Sequence, residues 1–276
     1  MTWRNSICMS IGRVACPDVN TLVSEIDDLG SSPIDAFYDS TGEILTKVPR
    51  DLFQHSDDLA GLLFVGLISA TENYFRDVLG NILTICPISQ SHSSDEKVQL
   101  GSLLWAHNGI HNRSAFEFMA FSNAENVKKT FANFLRYQIK NNGLTDGMLK
   151  EYDQLCELRH AVVHSGQIVA GKNALKLGLK RCKKSMKVRI TYGTLQDAGK
   201  VCTALVQAVN NELFEMLVTR WAEDWRKLPS WSSDEEALLR KIRSICLSKR
   251  DTKNKAVPNP QSQKKLLAQV KASFNL

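Results

Sequence analysis

The feature that most constrains the fold is the helical spacing of apolar residues over long stretches of the chain. Residues 58–85 (DLAGLLFVGLISATENYFRDVLGNILTI) and 195–225 place apolar side chains three and four positions apart, which is typical of amphipathic helices. Shorter stretches with the same spacing cover about 95–105, 123–140, 146–164 and 233–248. At 276 residues the chain is long enough to bury a sizeable core between such helices. We therefore predict an all-α helical bundle.

The helical rhythm is interrupted between residues 171 and 192. The segments ALKLGL (174–179) and KVRITY (187–192) predict a short basic β-hairpin after the helix that ends at His164. Turn-forming residues divide the rest of the chain into three parts. We expect residues 1–50 to be an N-terminal extension, 51–225 to be the helical domain, and 226–276 to be a basic helix followed by a flexible tail. The segment HNGIH (107–111) predicts a loop.

The positive charge of the chain is unevenly distributed. The net charge is +6, yet residues 227–276 alone hold eleven Lys and Arg against four Asp and Glu. A second cluster, KRCKKSMKVR, covers residues 180–189. Such clusters attract nucleic acid, although each is also compatible with an ordinary solvated surface. The candidate RNA-binding residues are Lys180, Arg181, Lys183, Lys184, Lys187 and Arg189.

The cysteine pattern and the hydropathy of the chain predict the cellular compartment of the protein. The seven cysteines are scattered and form no Cys-x-x-Cys pair, which argues against a disulfide framework or a zinc ribbon and suits a reducing cytoplasm. The longest apolar run, LAGLLFVGLISA (59–70), is too short to span a bilayer. No P-loop, Rossmann glycine set or nucleophile elbow occurs. We therefore expect a cytoplasmic protein without a membrane segment, a metal or a cofactor.

Two predicted helices carry a charge within the stripe of residues that should be buried. Arg159 lies in the middle of the stripe of the 146–164 helix, and Glu72 lies in that of the 58–85 helix. An unpaired buried charge costs roughly 3–5 kcal/mol. The simplest arrangement is an ion pair between Glu72 and Arg159, either as a purely structural contact or as a brace for a functional arginine.

Two histidines, His160 and His164, share the edge of the same stripe as Arg159. His164 falls in the last helical turn, where free carbonyl groups favour a cation. Arginine holds a phosphate by a two-pronged contact, and histidine transfers protons near neutral pH. The combination therefore favours a phosphodiester substrate. A metal site formed by Asp153, Glu157, His160 and His164 is an alternative, but the adjacent arginine opposes a cation. Chance placement of the two histidines is a third interpretation.

The hexapeptide RHAVVH (159–164) resembles the signature of the higher-eukaryote-and-prokaryote nucleotide-binding (HEPN) superfamily, in which an arginine, a polar residue and a histidine lie near a helix end. The surroundings, LCELRHAVVHSG and the earlier ISATENYFRDVL, are similar to the RiboL-PSP and MAE types of bacteria. The resemblance covers roughly residues 55–225. It implies a small HEPN-like helical bundle and metal-independent endoribonuclease activity, often in a toxin or antiviral defence role.

The resemblance also implies roles for single residues. Arg159 and His164 match the catalytic positions, His160 matches the polar position, and Glu72 resembles the acidic residue that braces the arginine. Active members usually form homodimers in which two such motifs share one cleft, although His160 could supply the second proton-transfer group within one chain. A toxin that is held inactive by a neutralising antitoxin or defence-system partner is one alternative. The other alternative is a non-catalytic helical module that binds RNA or a partner protein.

Overall fold

The computed structural model describes residues 12–24, 30–105, 111–229, 231 and 234–276. The chain divides into two compact units, Met1–Ser31 and Ser32–Leu276. In the first unit, the described residues include one 3₁₀ turn, Val19–Thr21, whose N-cap residue Asp18 accepts a hydrogen bond from the backbone N–H of Asn20 at 3.0 Å. The candidate site lies entirely within the second unit.

The second unit is a bundle of α-helices, so the predicted all-α class is confirmed. Two long helices, α3 and α10, form its centre, and α8 packs against both of them. In chain order the helices are α1 (Pro33–Thr46), α2 (Leu52–His55), α3 (Asp57–Ile85), α4 (Pro87–His92), α5 (Leu100–Trp105), α6 (His111–Ser114), α7 (Ala124–Leu135), α8 (Leu144–His164), α9 (Gly171–Lys176), α10 (Tyr192–Glu223), α11 (Glu235–Cys246), α12 (Lys249–Lys253) and α13 (Gln263–Ser273).

The buried apolar residues form two clusters. The larger cluster contains Phe75 of α3, Tyr152 of α8 and Trp221 of α10, and it extends to α7, α11 and α13. The smaller cluster lies under the last two turns of α8, where Ala161 meets Phe64 and other buried residues of α3 and α10. Burying such side chains stabilises the fold by about 25 cal/mol per Å² removed from water. The end of α8 is therefore anchored by packing on its inner face.

The end of α8 has the geometry that its sequence predicts. Gly166 adopts a left-handed conformation with φ of 55°, which glycine adopts without steric cost. The backbone N–H groups of Ser165 and Gln167 both return to the carbonyl of Ala161, at 3.1 and 3.0 Å. The predicted stop after His164 is thus confirmed, and it exposes the last turn of the helix to solvent.

The predicted basic hairpin between residues 174–179 and 187–192 does not form, so this prediction is wrong. Residues 171–176 form α9 instead of a strand, and the side chain of Asn173 donates to the carbonyl of Glu157 at 3.1 Å, which docks α9 on α8. Strand-like pairing occurs one segment earlier. Ile168 and Lys187 form an isolated antiparallel bridge, with the N–H of Val169 donating to Met186 at 2.9 Å. A short alternating run fits either structure, and the side-chain contact with α8 favours the helix.

The two ends of the chain differ from the expected extension and tail. Helix α1 packs on α3 within the main unit. Residues 249–276 contain α12 and α13, and the carboxylate of Asp35 accepts hydrogen bonds from the Ser248 hydroxyl and the Lys249 backbone at 2.7 and 2.8 Å. Apolar residues of α11 and α13, such as Ile242 and Val270, reach the core and explain this order. Most of the predicted loop 107–111 lies outside the described residues.

In the part of the chain that the structure describes, none of the helices combines the length and hydropathy needed to cross a lipid bilayer.

Candidate functional site at the end of helix α8

The charged stripe of α8 passes from the core to the surface. Tyr152 and Cys156 are buried, Arg159 is half-buried, and Val163 is 45% exposed. The Nε atom of Arg159 is shielded from solvent and has no hydrogen-bond partner. Among the described residues, no carboxylate lies within 4 Å of this guanidinium group. Arg159 is therefore a half-buried cation that lacks a carboxylate partner among the described residues, and it lies where the apolar stripe of α8 reaches the surface.

The predicted ion pair between Glu72 and Arg159 is wrong. The buried carboxylate of Glu72 pairs with Arg76, four residues further along α3, at 3.0 Å. Burial raises the pKa of the Tyr152 hydroxyl and of the Cys156 thiol, and the nearby charge of Glu72 adds to both increases. The Glu72 carboxylate therefore lies beside these two residues of α8. Since a helix rises 1.5 Å per residue, these positions precede Arg159 by about 5 to 10 Å.

The partner that sequence reasoning missed is Arg76. A projection of α3 assigns it to the polar side, whereas the structure shows it partly buried. Its guanidinium group donates to the carbonyls of Phe116 and Met119, at 3.3 and 3.1 Å, and lies 5.6 Å from the ring of Phe121. Arg76 and Glu72 thus hold the segment between α6 and α7 against α3, which is a structural role.

The two histidines form an exposed pair on the outer face of α8. The ring centroids of His160 and His164 are 4.7 Å apart, with the ring planes tilted by 51°. The neighbouring acids are already engaged: Glu157 pairs with Lys176 of α9, and Asp153 accepts a hydrogen bond from the backbone N–H of Ala124 at 3.0 Å. Across the described ranges, no group of three His, Cys, Asp or Glu side chains is arranged to hold a metal ion. The imidazole pair therefore faces solvent beside Arg159.

The thiol on the same helix is unsuited to nucleophilic chemistry. Burial raises the pKa of Cys156 far above its ordinary value, and only the thiolate form of cysteine is a good nucleophile. The groups of α8 that can act on a substrate are thus the guanidinium of Arg159 and the two imidazoles.

Contacts with the start of α3 hold the end of α8 in place. Gln167 is buried, and its Nε2 donates to the Oδ1 atom of Asp58 at 2.5 Å. Helix α3 approaches closely at Gly61, where an added Cβ would lie 3.1 Å from Val162. The sequence places Gln167 in an ordinary loop after a glycine stop, and it contains no local signal of this role. Gln167 is therefore a positioning residue that only the tertiary structure identifies.

The basic segment 180–189 reaches the same end of α8. Lys187 is paired in the backbone with Ile168, four residues after His164, and its Nζ lies 3.2 Å from Asp57. Val188 and Ile190 are buried while Lys187 and Arg189 are exposed, as expected for an extended segment with one face on the core. The other candidate residues are exposed and make no ion pair with the described part of the chain: Lys180, Arg181, Lys183 and Lys184.

Four large apolar side chains are exposed at the start of α3 and around the end of α8. Leu59 and Leu62 flank Gly61 on α3 and are 48% and 62% exposed, while Val163 and Ile168 are 45% and 48% exposed. Contiguous exposed apolar residues often mark an interaction surface. The end of α8 therefore combines a free cation, an imidazole pair, a basic segment and an apolar patch.

Comparison of the chain with protein-family models, with curated proteins and with solved structures finds no match.

Proposed function

We propose that this protein is a metal-independent endoribonuclease of the HEPN type, with Arg159, His164 and His160 in its site. The observation that carries the proposal is the free guanidinium group of Arg159 beside the exposed imidazole pair. A half-buried cation without a countercharge is costly unless an anion binds to it. A phosphodiester supplies that anion, and the imidazoles supply groups that transfer protons near neutral pH.

The chemistry follows from these groups. The 2′-hydroxyl oxygen of a ribose attacks the adjacent phosphorus, and the bond from phosphorus to the 5′-oxygen breaks. One imidazole takes the proton of the 2′-hydroxyl, and a protonated imidazole gives a proton to the leaving 5′-oxygen. Arg159 holds the non-bridging oxygens, where negative charge is concentrated. The products are a 2′,3′-cyclic phosphate and a 5′-hydroxyl end.

The geometry of the histidine pair supports a homodimeric enzyme. In-line displacement places the attacking and leaving oxygens on opposite sides of phosphorus. Two rings whose centroids are 4.7 Å apart approach a substrate from one side. A second copy of the chain, facing the first across a two-fold axis, supplies the opposite group. The exposed apolar patch of Leu59, Leu62, Val163 and Ile168 is the surface that we assign to this contact.

The basic segment supports RNA as the substrate. Lys183 and Lys184 are exposed, and the segment that carries them is paired with the residues that follow His164. Such cations neutralise phosphates along a strand without reading its sequence. The proposal includes the cytoplasm as the place of action, which agrees with the free thiols of the described cysteines. It also includes a role as a toxin or defence nuclease with a neutralising protein partner.

The test is incubation of the purified full-length protein with total RNA in the presence of EDTA. We expect cleavage that leaves 2′,3′-cyclic phosphate ends, and a loss of about 10²- to 10⁴-fold in rate for His164→Ala. His55→Ala is a matched control, because His55 is another exposed histidine in the last turn of a helix. We expect this variant to cleave at the normal rate.

Two outcomes would reject the site, and a third would reject the homodimer. Full activity of folded His164→Ala would show that cleavage does not use this site, and the end of α8 would then be a surface that binds RNA or a partner protein. A strict requirement for a divalent ion would favour the metal alternative. Equal activity of a monomer, produced by Leu62→Glu and verified by light scattering, would remove the need for the second copy.

A further inference from the structure

A cavity of about 580 Å³ lies between α10, α11 and the segment that precedes α13. Its volume is within the range of small-molecule sites, about 300–1,000 Å³. It is separate from the end of α8. The first α10 residue in its wall is Gln207, nine residues beyond Ala198, which packs in the cluster under α8. At 1.5 Å per residue this distance is about 14 Å.

Amide side chains dominate the polar part of the cavity wall. Gln207, Asn210, Asn211 and Phe214 share one face of α10, because they follow the helical spacing of three and four residues. Asn210 is committed to the fold, since its Nδ2 donates to the carbonyl of Cys246 at 2.8 Å. The side chain of Asn211, by contrast, makes no hydrogen bond to the described residues. It therefore offers a free donor and a free acceptor to a ligand.

The opposite wall of the cavity also carries amide groups without hydrogen-bond partners. Asn259 lines the cavity and makes no side-chain hydrogen bond within the described part of the chain. The Oε1 atom of Gln261 is shielded from solvent and has no partner. A buried acceptor without a partner costs roughly 1–3 kcal/mol, and a ligand donor would remove that cost. Amides on both walls thus have unused hydrogen-bonding capacity.

The charged groups in the wall are already engaged and opposite in sign. The Nη2 atom of Arg243 donates to the carbonyl of Gln261 at 2.6 Å, and its Nη1 donates to the side chain of Gln263 at 3.3 Å. Asp251 accepts a hydrogen bond from the hydroxyl of Tyr38 at 2.9 Å. Two of the Arg243 donors are thus already used, and the carboxylate of Asp251 would repel a phosphate bound in the same cavity. The cavity is therefore suited to an uncharged ligand.

We propose that this cavity binds an uncharged planar heterocycle of the nucleobase or nucleoside class. Asparagine and glutamine pair with base edges because each amide carries a donor and an acceptor in one plane. Phe214, Val257, Pro258 and Pro260 supply the apolar walls that a flat ring needs. The site is independent of the RNA-cleavage proposal, because it lies on different elements and uses different residues.

The test is isothermal titration calorimetry of the full-length protein with adenosine, guanosine, cytidine and uridine. We expect saturable binding of at least one nucleoside at one site per chain, with about tenfold weaker affinity in Asn211→Ala and in Asn259→Ala. Both residues are exposed, so these variants retain the fold, which circular dichroism verifies. Gln54→Ala, which removes an exposed amide from α2, should bind as the unaltered protein does, and so should His164→Ala.

Three results would overturn the proposal. The first is the absence of saturable binding for all four nucleosides up to about 1 mM. The second is tighter binding of the matching 5′-monophosphate by more than tenfold, which would indicate an anion site. The third is unchanged affinity in both asparagine variants, which would place the ligand elsewhere.

Discussion

The two ends of α8 differ in whether a charged side chain has a partner of opposite charge. At its start, the carboxylate of Asp146 is 2% exposed and is surrounded by partners. It pairs with Lys128 and with Lys150, and it accepts the backbone N–H of Asn142 at 3.0 Å. At its end, the guanidinium group of Arg159 lacks a countercharge within the described ranges. One helix thus contains a charge that the fold satisfies and a charge that it does not.

A paired buried charge and an unpaired one have different consequences for a protein. A buried charge that is fully paired serves the fold, and removing it leaves its partners unsatisfied. A charge that the fold leaves free costs stability and persists where an external ligand completes it. Substitutions at the two ends should therefore affect different properties: the unfolding midpoint at Asp146, and the reaction with RNA at Arg159.

The largest effect is expected at the unpaired end. Arg159→Ala should lower the rate of RNA cleavage by about 10²- to 10³-fold, because it removes the group that holds the phosphate oxygens. The free energy of unfolding should stay the same or rise, since the substitution removes an unpaired charge and leaves no partner unsatisfied. Single-turnover cleavage and urea unfolding measure the two quantities. Arg159→Lys keeps the charge but not the two-pronged geometry, and it should be intermediate in rate. A collapse of stability in Arg159→Ala would contradict the comparison.

The next effect is a pH-dependent loss of stability at the paired end. Lys128 first, and then Lys150 and the Asn142 backbone, hold the pKa of Asp146 well below its ordinary value. Because the folded-state pKa is below the unfolded value of about 3.9, the stabilisation is complete above that value and disappears as the pH falls through the folded-state pKa. Asp146→Asn should therefore unfold more easily at pH 7 and match the unaltered protein in strong acid.

Urea unfolding across a pH series measures this difference. The matched control is Asp197→Asn, since Asp197 forms an exposed pair with Lys200, and exposed pairs contribute little. Cleavage by folded Asp146→Asn should stay normal. A constant difference between Asp146→Asn and the unaltered protein at every pH would show that Asp146 acts through packing and not through its charge.

A smaller effect is expected at Glu72, the residue that the sequence pairs with Arg159. Glu72→Gln should cost about 1–3 kcal/mol of stability, because it weakens a charged contact with Arg76. RNA cleavage by the folded variant should be unchanged. Glu43→Gln, in an exposed pair with Lys47 on α1, is the control and should cost less than about 1 kcal/mol. If Glu72→Gln lowers the cleavage rate at a temperature where it is fully folded, a brace between Glu72 and Arg159 forms in the RNA complex.

The smallest effects concern the two basic clusters. The double substitution Lys183→Gln and Lys184→Gln should weaken RNA binding and lower the salt slope by roughly 0.7 for each phosphate of a single strand that these lysines no longer neutralise. Cleavage positions should stay the same. The matched control is Lys264→Gln with Lys265→Gln, two exposed neighbours in α13. Fluorescence anisotropy over a salt series measures the slope. An equal change in both double variants would mean that the clusters act together as one nonspecific surface.

The sequence by itself determined the features that depend on nearby residues. Apolar spacing within one segment predicts a helix, so α3, α8 and α10 are visible without a structure. The stop after His164 is also local, because only a glycine such as Gly166 adopts a left-handed conformation at no cost. The placement of His160 and His164 on one face follows directly from the helical period.

Only the tertiary structure decided the partners of the charges. Two stripes that each contain one opposite charge suggest a pair, but the choice depends on the axial level at which the helices meet. Arg76 is closer to Glu72 than Arg159 is, and carbonyls forty residues away in the chain complete its contacts. The same holds for the contact between α9 and α8, in which the side chain of Asn173 donates to the carbonyl of Glu157. The pair of Glu72 with Arg76 follows the four-residue spacing of neighbours on a helix, which the sequence does contain. The backbone carbonyls that complete the Arg76 contacts, and the contact between α8 and α9, join groups that are distant in sequence, and local patterns carry no information about them.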